Sequence, residues 1–222
     1  VNIASQVLHD QKASGTVIGS EYADTYVHSL GDGSYTIADR SYQNVDDRLV
    51  FTDVNAADVT FAQNAGKDLV ITLGNGETVT ITDHLDGTTE DMELIEFADG
   101  TVLDAQGIRD KTVADMKANG TVTGSELAEN YAHALGDGSY TITDYDYHTQ
   151  SGTDTLTFTD VNAADVTFSH GTSNSLVLTL ANGEAITINN HFDSDGDYAI
   201  EQVTFADGTV LDAQGIRDKT VA

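Results

Sequence analysis

The sequence contains its own plan twice. Leu30-Gly31-Asp32-Gly33-Ser34-Tyr35-Thr36-Ile37 returns letter for letter as Leu135–Ile142. Phe51–Phe61 returns unchanged as Phe158–Phe168, and Phe97–Ala114 as Phe205–Ala222. The blocks keep their order, and the surplus residues fall in loops, between Asp144 and Asp154 and between Asp193 and Asp197. Such a tandem duplication requires one supersecondary plan to serve both halves. The expected division is a lead-in over residues 1–13, a first module over 14–117 and a second over 118–222. A helical stub from Asp104 to about Lys117 links them, with Asp104 as its cap.

Within each copy the period is that of strands. Arg48–Phe51 and Val59–Phe61 flank the Asn55–Asp58 turn. Leu69, Ile71 and Leu73 alternate with partners of other character, then Asn75-Gly76 signals a hairpin into Val79 and Ile81. The second copy repeats this with Leu176, Leu178, Leu180, Asn182-Gly183, Ile186 and Ile188. Ile95 and Phe97 lead through Asp99-Gly100 into Thr101–Leu103, a further hairpin in which Asp99 serves the turn, as Asp207 does in the second copy. The fold class is therefore all-β: two tandem modules of short strands and Asp/Gly turns, roll-like or sandwich-like, each closed by a short helix. The front of each copy has two readings. Residues 19–30 and 124–135 fit a helix, with Leu127, Tyr131, Ala134 and Leu135 spaced behind Ser125. They also fit a β-turn repeat, with Gly19, Asp24 and Tyr26 at the first, sixth and eighth places of a nine-residue calcium repeat.

Charge narrows the function. There are 37 acids against 9 bases, for a net charge of −28, and between Lys117 and Arg217 there is no base at all. No basic patch exists to neutralise phosphates, so nucleic acid is excluded as a partner, and an anionic membrane surface is disfavoured for the same reason. No apolar run reaches membrane-spanning length. With no Cys there is no disulfide frame. Val1–Ser14 lacks the basic start and apolar core of a conventional signal peptide. The protein is therefore expected to be cytosolic, or to leave the cell by a route that reads no N-terminal signal.

Unbalanced carboxylates repel one another, and divalent cations relieve that repulsion. Acids beside Gly in turns offer the oxygen ligands a hard cation takes. The candidate calcium ligands are Asp24, Asp32, Asp39 and Asp47 in the first copy, and Asp137, Asp144, Asp146 and Asp154 in the second. Asp193, Asp195 and Asp197, at alternate positions, form a further candidate loop. His28 and His133 match between copies, as do His84 and His191. No second His or Cys lies at ligand spacing, so these histidines are read as packed rather than zinc-binding. No nucleophile elbow, zincin motif or phosphate loop appears, so the chain is read as binding rather than catalysing. Tyr42, Tyr145 and Tyr147 lie in polar acidic loops and offer flat faces to sugars.

The ordered set Asp24-Thr-Tyr-Val, Gly-Asp-Gly-x-x-x-Ile37, Asp47-x-Leu-x-Phe51, Asp58-Val-x-Phe61, Asp68-Leu-Val-Ile-x-Leu73 and Ile95-x-Phe-Ala-Asp-Gly-Thr101 resembles the haemolysin-type calcium-binding-related module. That module follows calcium β-roll repeats in secreted repeats-in-toxin proteins. The chain departs from the pattern at Tyr35 and Tyr140, where the family's turn would carry Asp, and it lacks full Gly-Gly-x-Gly-x-Asp repeats. Two such modules in a short acidic chain resemble the Rhizobium-adhering proteins, calcium-binding lectins with paired cadherin-like domains. The resemblance implies a secreted, extracellular protein exported by a type I system and binding acidic bacterial exopolysaccharide or capsule in a biofilm matrix with Ca2+ as its cofactor. The chain is expected to be a monomer; the alternative readings are a calcium-dependent homotypic adhesion module and the non-catalytic part of a polysaccharide-modifying enzyme.

Overall fold

A computed structural model describes residues 11–39, 46–65, 67–86, 92–145, 152–194 and 196–221. The chain divides into two compact units, Val1–Thr112 and Val113–Ala222. The strands of the first unit are β1 (Thr16–Ile18), β2 (Thr25–His28), β3 (Tyr35–Ala38), β4 (Arg48–Phe51), β5 (Val59–Gln63), β6 (Leu69–Leu73), β7 (Thr78–Ile81), β8 (Leu94–Glu96) and β9 (Val102–Asp104). They form two sheets, ordered β1-β3-β7-β6-β5 and β2-β4-β8-β9.

The chain visits these sheets alternately, and this makes the unit a roll. β3 lies parallel to β1, β4 parallel to β2, β7 parallel to β3 and β8 parallel to β4. The β5–β6 hairpin widens the first sheet with antiparallel pairs before the third lap begins. Inward residues alternate along the strands, as in the alternation of half-buried and buried positions in β4 and β7. Val17, Ile37, Ile71 and Ile81 from one sheet meet Tyr26, Leu49, Phe51 and Ile95 from the other in one core. Register stacks equivalent side chains: Phe51 and Phe97 lie ring on ring, 5.3 Å apart.

The second unit repeats the plan with β10 (Thr121–Thr123), β11 (Asn130–His133), β12 (Tyr140–Thr143), β13 (Thr155–Phe158), β14 (Val166–His170), β15 (Leu176–Leu180), β16 (Ala185–Ile188), β17 (Gln202–Thr204) and β18 (Val210–Asp212). Its sheets run β10-β12-β16-β15-β14 and β11-β13-β17-β18. Helix α1 (Ala105–Ala118) follows β9, and α2 (Ala213–Val221) follows β18. Asp104 caps α1 by accepting from the Gly107 N–H at 2.8 Å, and Asp212 does the same for Gly215. Ile108 of α1 belongs to the first core and Ile216 of α2 to the second. No helix among the described residues is long and apolar enough to cross a membrane.

At the front of each unit the strand reading holds and the helical one does not. Thr25–His28 and Asn130–His133 are strands in which burial alternates. The helical spacing of Leu127, Tyr131 and Leu135 is overridden by parallel pairing with the next lap.

The repeated octapeptide is explained by the turn between β2 and β3. Gly31 and Gly33 both sit at positive φ, a region that L side chains adopt only under strain. Their N–H groups donate to the two oxygens of Glu77, each at 3.0 Å. Ser34 Oγ accepts from the Thr78 N–H at 2.9 Å, while Tyr35 and Ile37 turn inward. Glu184 and Ser139 do the same work in the second unit. A Glu77→Ala variant is expected to lose about 1 kcal/mol of stability, since water replaces the acceptor imperfectly. The check is a lower urea midpoint at unchanged slope.

Candidate metal centre

The turns at one end of each roll collect carboxylates. Thr25 pairs with Arg48, and Arg48 with Leu94, in register. The residues just before them, Asp24, Asp47 and Glu93, are therefore stacked across three laps. The stack is held by hydrogen bonds that run from each lap to the next. The Asp24 N–H donates to Asp47 Oδ1 at 2.6 Å, and the Asp47 N–H donates to Glu93 Oε2 at 2.6 Å. Asp39 leaves the end of β3 and enters the same place from the other sheet. One ligand oxygen each from Asp24, Asp39 and Asp47 lies within 4.8 Å of the others.

The second unit builds the same cluster from Glu129, Asp144 and Asp154. The Glu129 N–H donates to Asp154 Oδ1 and the Asp154 N–H to Glu201 Oε2, each at 2.8 Å. Ser125 holds Glu129 through both its N–H and its hydroxyl. All three carboxylates here are buried, as are Asp39 and Asp47 in the first unit. Burying like charges together is costly unless a cation joins them. Burial also pushes the Glu93 carboxyl up, and the neighbouring charges of Asp47 and Asp46 add to the effect.

The residues fit a calcium ion. Every donor brought together is an oxygen, and neither cluster contains His, which suits a hard cation and not zinc. The local backbone is shaped around the acids. A Cβ on Gly19 would stand 2.2 Å from both Asp39 Oδ1 and Tyr26 Oη, and one on Gly124 only 1.9 Å from Asp144 Oδ1. Only glycine leaves room for these carboxylates.

Of the ligands expected from sequence, the structure gathers Asp24, Asp39 and Asp47, and separately Asp144 and Asp154. Asp32 and Asp137 stand at the opposite end of the roll, in neither cluster. Asp32 Oδ2 accepts from the Ser29 N–H at 3.1 Å and from Lys12 Nζ at 2.6 Å; Asp137 pairs with Lys117 at 2.7 Å. These aspartates cap their own turn and dock a lysine. Asp193 accepts from Asn174 at 2.6 Å and Asp197 is buried; neither joins a cluster among the described residues. Asp146, Asp195, Tyr42 and Tyr147 lie outside the described residues. Tyr145 is half-buried, its ring 5.0 Å from that of Tyr198.

Glu129, Glu93 and Glu201 were not expected as part of the site. Glu129 occupies in the second copy the place of Asp24 in the first, so aligning the repeats would have found it. Glu93 and Glu201 stand at the same distance before Phe97 and Phe205.

The four repeated histidines are core residues. His28 lies between the rings of Tyr35 and Phe51, and burial holds its imidazole below the ordinary range. His133 sits likewise against Tyr140 and Phe158.

Residues 68–106 and 176–214 match the family model of the haemolysin-type calcium binding protein related domain. Each unit thus contains one segment similar to that calcium-binding-related domain. The matched segments contain Glu93 and Glu201, whereas the clustered carboxylates lie in the laps before them. Match and clusters are therefore separate observations. No curated protein matches this chain in sequence.

Proposed function

We propose that the protein is a secreted, non-catalytic, calcium-dependent lectin whose two modules each hold calcium at the carboxylate end of the roll and bind acidic extracellular polysaccharide. The observation that carries the calcium part is the recurrence of a three-carboxylate cluster, wholly buried in the second module and buried but for Asp24 in the first, at equivalent lap ends of both modules. Calcium would cancel the local charge and offer open coordination positions to the oxygens of an acidic sugar. The polysaccharide part is supported by the resemblance to the Rhizobium-adhering proteins and by the Tyr145–Tyr198 pair, which follows directly on Asp144. Aromatic faces of this kind take up sugar C–H groups.

The test is retention of the protein on an immobilised acidic bacterial polysaccharide, with calcium and with chelator. Retention is expected only with calcium, and the polymer is expected to emerge uncut. Tyr145→Ala combined with Tyr198→Ala is expected to weaken binding about tenfold, the loss of roughly 1.4 kcal/mol of stacking, while calcium affinity is unchanged. Retention that ignores chelator would overturn the reading. Calcium-dependent self-association without any glycan would replace it with homotypic adhesion.

A further inference from the structure

Each carboxylate cluster includes a buried tyrosine hydroxyl. Tyr26 Oη donates to Asp39 Oδ2 at 2.6 Å, and Tyr131 Oη donates to Asp144 Oδ2 at 2.8 Å. Tyr26 and Tyr131 are almost wholly buried, at 3% and 0% exposure. Each ring comes from the second strand of its roll and reaches across the core to the third. On the far side the same oxygens face Gly19 and Gly124, whose missing side chains leave their space to the acid and the phenol. The constellation of Gly, Tyr and Asp thus occurs twice, although the acids around it differ, Asp24 in one module and Glu129 in the other.

From this geometry we infer that Tyr26 and Tyr131 are the positioning residues of the two cation sites, each fixing its third carboxylate toward the ion from behind. The inference rests on the calcium reading above. The other two carboxylates of each cluster are aligned by main-chain N–H groups, as parallel register demands. Asp39 and Asp144 enter from the opposite sheet, and the phenol orients them instead. A phenol suits the task because it stays a donor. Burial first, then the hydrogen bond to Asp39 and the charges of Asp39, Asp24 and Asp47, push the Tyr26 hydroxyl far above its ordinary value. Tyr131 shifts in the same direction, from burial and from Asp144, Glu129 and Asp154.

The experiment uses the full chain. Calorimetry with calcium chloride is expected to show binding to the unaltered protein. Tyr26→Phe with Tyr131→Phe keeps the rings and removes only the hydroxyls. Calcium affinity is expected to fall about ten- to hundredfold, as when groups that orient metal ligands are removed. Gly19→Ala with Gly124→Ala should give the same loss by displacing the acid. A spectroscopic readout separates positioning from general support. With 3-fluorotyrosine in place of the nine tyrosines, 19F resonances assigned to Tyr26 and Tyr131 through the Phe variants should move most on calcium addition. Each assignment needs only one single Phe variant, so this measurement also serves if the double variant fails to fold. Calcium binding with unchanged affinity in the Phe variant, or with those two resonances unmoved in the labelled protein, would overturn this inference alone. Absence of calcium binding in the unaltered protein would overturn it together with the calcium reading.

Discussion

Calcium is expected to raise the melting temperature of this protein by roughly 15–30 °C over the chelated form. A ligand that binds only the folded state stabilises it by RT ln(1 + [L]/Kd), about 4 kcal/mol at a thousandfold excess over Kd. In a module of this size each kcal/mol moves the midpoint by about 4–8 °C. Asp47→Asn and Asp154→Asn sharpen the test, because their effects should have opposite signs in two conditions. The amide oxygen can still accept from the Asp24 and Glu129 N–H groups, so the lap-to-lap hydrogen bond survives. One of three crowded negative charges is lost. In chelator the double variant should therefore melt at or above the unaltered protein. In calcium it should fail to gain the increment. Scanning calorimetry in the two buffers reads both signs. A variant less stable than the parent in chelator, or equally responsive to calcium, would show that these carboxylates are structural and do not hold the ion.

The strands, hairpins and helix caps were legible because each is written locally. Asn75-Gly76 and Asn182-Gly183 mark hairpins, alternation marks the inward face, and Asp104 stands just before its helix. Parallel register is not written locally. Asp24 and Asp47 are 23 residues apart, and Asp47 and Glu93 are 46 apart, because a hairpin is inserted into the last lap. No turn dipeptide announces that these residues stack. The repeated Gly-Asp-Gly motif lies away from that stack. Gly-Asp-Gly at 31–33 suggests a cation cage, but in the fold its backbone donors are met by Glu77 and its aspartate by Lys12. An acid in a tight turn has many N–H groups to accept from, and sequence alone does not say whether a metal or the backbone takes it. The cluster that does form lies where strands leave opposite sheets, a property of the roll and not of any short motif.

Acid is expected to destabilise each module steeply between pH 6.5 and 4, through a buried histidine that belongs to neither carboxylate cluster. His84 and His191 are 3% and 7% exposed, and both are pushed down to about 4. Burial is the largest cause, with the positive charges of Arg109 and Arg217 adding to it. In the neutral state His191 Nδ1 accepts from the Ile200 N–H at 3.2 Å, a bond that a proton on that nitrogen would break. The folded state therefore binds fewer protons than the unfolded chain below the ordinary histidine value. Stability is fully present above about pH 6.5 and is lost as pH falls toward 4, amounting to roughly 3 kcal/mol for each histidine. Other groups titrate in the same range, and Glu93, whose carboxyl is raised by burial, works in the opposite sense. A comparison removes them. His84→Leu with His191→Leu keeps apolar bulk in both places and deletes the two protonation sites. Urea unfolding in chelator, repeated from pH 7 to pH 4, gives one stability curve for the parent and one for the variant. The gap between the curves should be constant above pH 6.5 and should shift in the variant's favour by roughly 3 kcal/mol per module on reaching pH 4. Curves that stay parallel through that window would mean that these histidines accept protons in place, and that acid acts on the fold elsewhere.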